Sequence, residues 1–262
     1  MTLSVQETIA QRKAQGHGTL VAYLPVGYPD LATSVEASIA VLNSGADILE
    51  LGVPYSDPVM DGTVIARATQ TALERGFKLR HVFPAVAEIV KATGKPVLVM
   101  TYWNPVVQYG VEKFTTDLKA AGGAGLITPD LIPDEASDWL EISERLELER
   151  VFLAAPSSSD SRLHVAGEQS KGFVYAVSTM GITGTRIDVD SAARGLVERI
   201  YAQGAEATCV GLGISTAEHV RDVVGFADGA IVGSALVRAL SEGGVGAVGE
   251  LAQSLASGTK RN

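Results

Sequence analysis

The sequence predicts an α/β fold of the (β/α)8 type: a TIM barrel with an additional N-terminal helix, residues 1–262 forming a single domain. Three observations lead there. Eight short apolar, β-rich runs recur along the whole length. Segments with helical periodicity separate most of them. The runs are almost wholly apolar rather than alternating, as expected of parallel strands covered on both faces. Eight strand-then-helix units in about 250 residues match the size of a TIM barrel. Periodicity does not show closure, so an open doubly wound sheet is the other architecture these units could build.

The elements follow in order. Ser4-x-x-Glu7 has the spacing of a capping box and Gly16 is a plausible stop, which predicts a short helix at the N-terminus. The eight runs are Leu20–Val26, Ile48–Val53, Pro96–Tyr102, Gly125–Thr128, Val151–Ala155, Phe173–Val177, Thr208–Leu212 and Gly229–Val232. Ser34–Asn43 reads as a helix, as does Asp61–Glu74, where Ile65, Ala68, Ala72 and Leu73 share a face. The polar tail Ser254–Asn262 reads as frayed. No linker, low-complexity tract or shift of composition marks a second domain.

Composition narrows the function classes. The chain has 262 residues, 46% of them hydrophobic, enough for a full core. A net charge of −9 argues against a binder of nucleic acid, which needs a basic face. A lone cysteine, Cys209, rules out an internal disulfide and suggests a reducing compartment. No apolar run reaches the roughly 18 residues of a membrane span, and the N-terminus lacks the pattern of a signal peptide. The expectation is a cytoplasmic enzyme that holds an anionic substrate locally.

A TIM barrel carries its active site at the C-terminal ends of the strands. Glu50 lies inside the apolar run ILELGV. It points either into the barrel or toward the helices, and both settings desolvate it and raise its pKa. A satisfied structural carboxylate is one reading; a general acid/base working near neutral pH is the other, and the one favoured here. Asp61 precedes Gly62 at a predicted helix start. It reads equally as an N-cap and as a second carboxylate brought back over the barrel mouth. Asp57, before Pro58, and Asp130, between two prolines, read as turn formers.

Glycine clusters follow the last three runs: Gly181-Ile182-Thr183-Gly184, Gly211-Leu212-Gly213 and Gly233-Ser234. Such turns let backbone N–H groups approach an anion, and helix N-termini add a favourable dipole. Three at successive strand ends make a phosphate site the better reading. No lysine sits at the C-terminal end of a run, so a Schiff-base aldolase lacks its nucleophile. The four histidines show no metal-ligand spacing, Cys209 reads as core, and no dinucleotide fingerprint follows the first run. What remains is cofactor-free acid/base chemistry on a phosphorylated substrate.

The motifs that carry these residues resemble a known family over nearly the full length, the α subunits of tryptophan synthase. They are YLPVGYPD (Tyr23–Asp30), ELGVPYSDPVMDG (Glu50–Gly62), MTYWNP (Met100–Pro105), PDLIPDE (Pro129–Glu135), GFVYAVSTMGITG (Gly172–Gly184), VGLGIS (Val210–Ser215) and IVGSALV (Ile231–Val237). The resemblance implies retro-aldol cleavage of indole-3-glycerol phosphate to indole and glyceraldehyde 3-phosphate. By it, Glu50 matches the general acid/base and Asp61 the carboxylate that accepts the indole N–H. Gly184, Gly213, Gly233 and Ser234 match phosphate-binding positions. Tyr23, Met100 and Tyr102 match the indole pocket, and Tyr175 and Thr183 match residues that order the site, Thr183 from a loop that closes over it.

The resemblance further implies a β subunit that carries pyridoxal phosphate, with no cofactor or metal in this chain, and an α2β2 heterotetramer. Pro54, Tyr55, Asp57 and Pro58 lie in the matching contact loop. Two departures stand out. Thr63 replaces a proline frequent in the family, and Thr179-Met180 replaces a pair that is often basic or polar. Two alternatives to the coupled subunit are a free-standing lyase of the same family and a catalytically silent phosphate-binding barrel.

Overall fold

The computed structural model describes residues 4–177, 186–211 and 213–261, with the side chains of 186–190 excepted. Helix α1 (Val5–Ala14) comes first, followed by strand β1 (Thr19–Pro25), α2 (Leu31–Asn43) and β2 (Ile48–Gly52). Then come α3 (Thr63–Glu74), α4 (Val82–Thr93), β3 (Val97–Met100), α5 (Trp103–Tyr109), α6 (Val111–Ala120) and β4 (Gly125–Ile127). The next elements are α7 (Ser137–Arg145), β5 (Glu149–Val151), β6 (Leu153–Ala154), α8 (Asp160–Gln169) and β7 (Val174–Val177). The last are α9 (Arg186–Ala202), β8 (Thr208–Gly211), α10 (Ala217–Val224), β9 (Gly229–Val232) and α11 (Ser234–Ala256).

All strand pairs are parallel, in the order β5-β4-β3-β2-β1-β9-β8-β7-β6. The two ends of that order, β5 and β6, are separated in sequence by Phe152 alone. The sheet therefore returns on itself as a barrel, which decides against the open doubly wound alternative. The fifth predicted run is the one that differs. It begins two residues early, at Glu149, and is broken at Phe152, whose N–H turns to the Ser170 hydroxyl at 3.3 Å. Arg150 supports the early start: its side chain is buried against Ser143 and the carbonyl of Gln169, so a charged residue can occupy a strand.

Strand side chains divide by parity. Val21, Ile48, Leu98, Ile127, Val151, Phe173, Cys209 and Ile231 form one buried cluster inside the barrel. Their neighbours Leu20, Leu49, Val97, Val99, Leu126, Val174 and Val210 join the outer cluster beneath the helices. Both faces are covered, which is why the strands read as unbroken apolar runs.

The N-terminal helix forms as expected. The Ser4 hydroxyl accepts the Glu7 N–H at 3.1 Å, and the Glu7 carboxylate accepts the Ser4 N–H at 2.8 Å. Val5 and Ile9 enter the interior cluster from below, so α1 closes the N-terminal end of the barrel. The Glu149 carboxylate fixes it there by accepting the N–H groups of Val5 and Gln6 at 2.7 and 2.9 Å. The C-terminal tail is not frayed. Thr259 is buried, its carbonyl accepts the Gly18 N–H at 2.7 Å, and the Arg261 N–H donates to Gly16 O at 3.0 Å. Its polar residues satisfy the chain leaving α1, a partnership invisible to local sequence.

Candidate active site

Glu50 is the second inward residue of β2, two beyond Ile48 of the interior cluster. Parity thus answers the question left by the sequence: the side chain points into the barrel. It pairs in register with Tyr23 of β1 and Leu98 of β3. It is 1% exposed, and neither carboxyl oxygen has a hydrogen-bonding partner among the described residues. Burial first, and the nearby charge of Asp61 second, push its pKa up to about 8. A structural carboxylate would have been satisfied by neighbours. This one keeps both oxygens available.

Asp61 does not cap α3. The helix starts at Thr63, and Gly62 takes the N-cap position with extended backbone and no side-chain cap. The predicted helix start at Asp61 is therefore two residues too early, because the Asp61 side chain turns instead toward Tyr102. The Tyr102 hydroxyl donates to Asp61 Oδ1 at 3.4 Å and accepts the Met60 N–H at 2.9 Å. Asp61 is half-buried, and burial raises its pKa against the lowering effect of the Tyr102 bond. Burial raises the Tyr102 phenol to about 12, so it stays a donor across the neutral range.

The other inward positions complete the mouth. Tyr23, Met100 and Tyr175 share the inward parity of Val21, Leu98 and Phe173. The Tyr23 phenol is pushed well up, first by burial and then by the charges of Asp61 and Glu50. Burial and Glu50 do the same to Tyr175. Tyr23, Met100, Tyr102 and Asp61 line one small cleft with Gly52, Val53, Thr101 and Pro129. Those last four were not singled out from the sequence. Gly52 had a signal, since it lies two residues beyond Glu50 and so also faces inward. A Cβ there would sit 2.3 Å from the Tyr23 hydroxyl, and one on Gly211 would sit 2.7 Å from the Tyr175 hydroxyl. Both glycines make room for the tyrosines.

At the ends of the adjacent strands β8 and β9, Gly213 has φ +61° and Gly233 occupies the N-cap of α11, with Ser234 as its first residue. The N-terminus of α11, with its unsatisfied backbone N–H groups and positive dipole end, starts at this strand end, the kind of position an anion cradle uses. Thr183 and Gly184, with the Thr179-Met180 departure, lie outside the described residues. Among the described residues, no group of three or more His, Cys, Asp and Glu side chains could hold a metal ion. No helix among them is long and apolar enough to cross a membrane.

The loop after β2 carries Pro54, buried, Tyr55 and Pro58, half-buried, and Asp57, exposed. The Ser56 hydroxyl donates to Asp57 at 2.5 Å, consistent with a turn. The Tyr55 ring lies 5.1 Å from that of Tyr102, and its hydroxyl accepts from Asn104 of α5 at 3.3 Å. Asp130 is more than a turn former: it accepts the N–H of Trp103, the first residue of α5, at 2.9 Å. Three neighbouring segments are so laced together, and each exposes apolar side chains: Val59 (77%) and Met60 (49%), Val107, and Ile132.

The chain matches the family model described as tryptophan synthase alpha chain over residues 9–260. It is 62% identical to the tryptophan synthase alpha chain of Leifsonia xyli subsp. xyli over 257 residues, 98% of each chain, and 54% identical to that of Mycobacterium avium over 92% of this chain and 89% of that one. It superposes on a solved tryptophan synthase chain of Mycobacterium tuberculosis with a TM-score of 0.93 at 48% identity, covering all of both chains. A chain of the Pyrococcus furiosus tryptophan synthase complex gives 0.83 at 35% identity, over 92% of this chain and 98% of that one. With a family match spanning almost every residue and a barrel that coincides with solved members, the chain belongs to the tryptophan synthase alpha-chain family.

Proposed function

We propose that this chain, as one TIM-barrel domain, is a cytoplasmic carbon–carbon lyase. It cleaves indole-3-glycerol phosphate to indole and glyceraldehyde 3-phosphate and works as the α subunit of an α2β2 tryptophan synthase. The observation that carries the reading is Glu50: inward, buried, unpartnered and raised to about 8. At neutral pH such a group is a carboxylic acid and can deliver a proton.

The reaction then runs as follows. Glu50 protonates indole C3, and the positive charge spreads to the ring nitrogen. Asp61, oriented by Tyr102, accepts the ring N–H and stabilises that charge. The Glu50 carboxylate next takes the proton of the hydroxyl on the carbon attached to C3. The C3–carbon bond breaks, its electron pair restores the indole, and the hydroxyl carbon becomes the aldehyde. One proton enters at C3 and one returns to Glu50. The protonated ring is the electron sink, so neither lysine nor cofactor is required; pyridoxal phosphate belongs to the β subunit. Tyr23, Met100, Tyr102 and Tyr175 wall the indole, and Gly213, Gly233 and Ser234, with Gly184, hold the phosphate. Thr183, by the family resemblance, is a residue that orders the site.

The exposed Val59, Met60, Val107 and Ile132, with Pro54, Tyr55, Asp57 and Pro58, form the face offered to the β subunit. The test is indole release from indole-3-glycerol phosphate by the purified chain, with and without a tryptophan synthase β subunit. Slow release alone and much faster release with the partner support the coupled subunit. Fast release alone would indicate a free-standing lyase, and none in either condition would overturn the reaction.

A further inference from the structure

A groove of about 230 Å3 lies between α3 and α11, beside the loop that follows β1. Arg67 of α3 and Arg238 of α11 line it from opposite sides, with Tyr28, Thr63 and Ser241 adding hydroxyl groups. Val64 and Val237 supply apolar wall. No carboxylate is among the lining residues. Neither guanidinium has a hydrogen-bonding or ion-pair partner among the described residues. By contrast Arg75, about two helix turns further on, is satisfied by the Pro29 carbonyl at 2.8 Å. In a chain of net charge −9, two unpaired arginines facing one groove concentrate positive charge locally.

The site is distinct from the proposed phosphate cradle. Arg238 is one helical turn beyond Ser234, and α3 reaches the start of α11 through Ile65, whose Cδ1 would lie 3.6 Å from a Cβ on Gly233. The volume is below the roughly 300–1,000 Å3 of pockets for drug-sized ligands. It suits a small anion whose oxygens take guanidinium forks and hydroxyl donors together.

We propose that the α3–α11 groove is a second anion site that binds a small phosphate monoester or phosphate dianion through Arg67 and Arg238. The test titrates inorganic phosphate into the full chain at low ionic strength, read by calorimetry and by the arginine Nε–H resonances. Ser234→Asp places a negative charge in the cradle while remaining compatible with a helix start. In that background one phosphate still binds and shifts the Arg67 and Arg238 resonances. Adding Arg67→Gln and Arg238→Gln weakens it tenfold or more, with the circular dichroism spectrum unchanged. Loss of all phosphate binding in Ser234→Asp, or binding that survives both arginine replacements, would overturn the groove site. Wild type that binds a single phosphate, abolished by the arginine pair and not by Ser234→Asp, would support the groove and count against the cradle instead.

Discussion

Tyr102 holds Asp61 to the barrel mouth: its hydroxyl donates to Asp61 Oδ1 at 3.4 Å while accepting the Met60 N–H at 2.9 Å. One phenol thus fixes both the carboxylate and the backbone just before it. Asp61 belongs to a loop, yet its position is set from β3's side of the barrel. Asp61→Asn is therefore expected to lower kcat at least a hundredfold, with little loss of stability because α3 is capped at Gly62. Steady-state kinetics and urea melts check this together. A stability loss near 1 kcal/mol with a small kinetic effect would restore the helix-cap reading. Tyr102→Phe should cost less, about tenfold in kcat/KM, since one hydrogen bond contributes roughly 0.5–1.5 kcal/mol.

Glu50→Gln should reduce kcat for indole release by about 10²–10⁴-fold. Affinity for inorganic phosphate should stay near wild type, because the cradle lies at other strand ends. Turnover like wild type would remove Glu50 from the mechanism.

The same residue makes stability depend on pH. Its folded pKa, about 8, lies above its ordinary value of 4.5. The folded state therefore binds the extra proton, and the contribution is fully present below about pH 4.5 and lost as pH rises through 8. Wild type should lose stability relative to Glu50→Gln by a few kcal/mol across that window. Urea midpoints of both proteins at pH 5 and pH 9 measure it, and parallel curves would mean that Glu50 is not desolvated. Activity should also fall as pH passes about 8, where the acid form disappears.

Gly52→Ala should spare the fold and damage the site. The new methyl carbon would lie 2.3 Å from the Tyr23 hydroxyl and 2.5 Å from its ring, so the tyrosine must swing away. The expected result is a loss of tenfold or more in kcat/KM with a stability cost of about 1–3 kcal/mol. Wild-type kinetics would show that Tyr23 does not shape the pocket.

Thr63→Pro tests the family departure at the start of α3. Thr63 is the first helical residue, where proline's fixed φ and missing N–H are tolerated. A gain of about 0.4–1 kcal/mol is expected from the restricted unfolded chain. Destabilisation in a thermal melt would mean that this helix start has adapted to threonine.

The barrel was legible because its strands are covered on both faces. Continuous apolar runs separated by helical periodicity are a local imprint of a global arrangement. The capping box of α1 was legible for the same reason, since Ser4 and Glu7 satisfy each other within one turn. Glu50 stood out because a carboxylate inside ILELGV violates the pattern around it. Asp61 did not stand out, since its anchor, Tyr102, is 41 residues away and the Asp-Gly pair mimics a helix cap. The tail reads as frayed from local sequence because the partners of Thr259 and Arg261 lie at the opposite end of the chain. The motifs themselves, in their order, were enough for the family.

The sequence by itself determined the eight-unit plan, the family and a carboxylate within an apolar strand, all set by patterning over a few residues. Tertiary structure decided the rest. Closure depended on β5 and β6 being joined through Phe152 while pairing with opposite ends of the sheet. The inward direction of Glu50 depended on which parity the interior cluster took. Its rise to about 8 depended on burial among groups from other strands. Each is a property of packing between segments distant in sequence, where desolvation and steric fit are settled only once the barrel has formed.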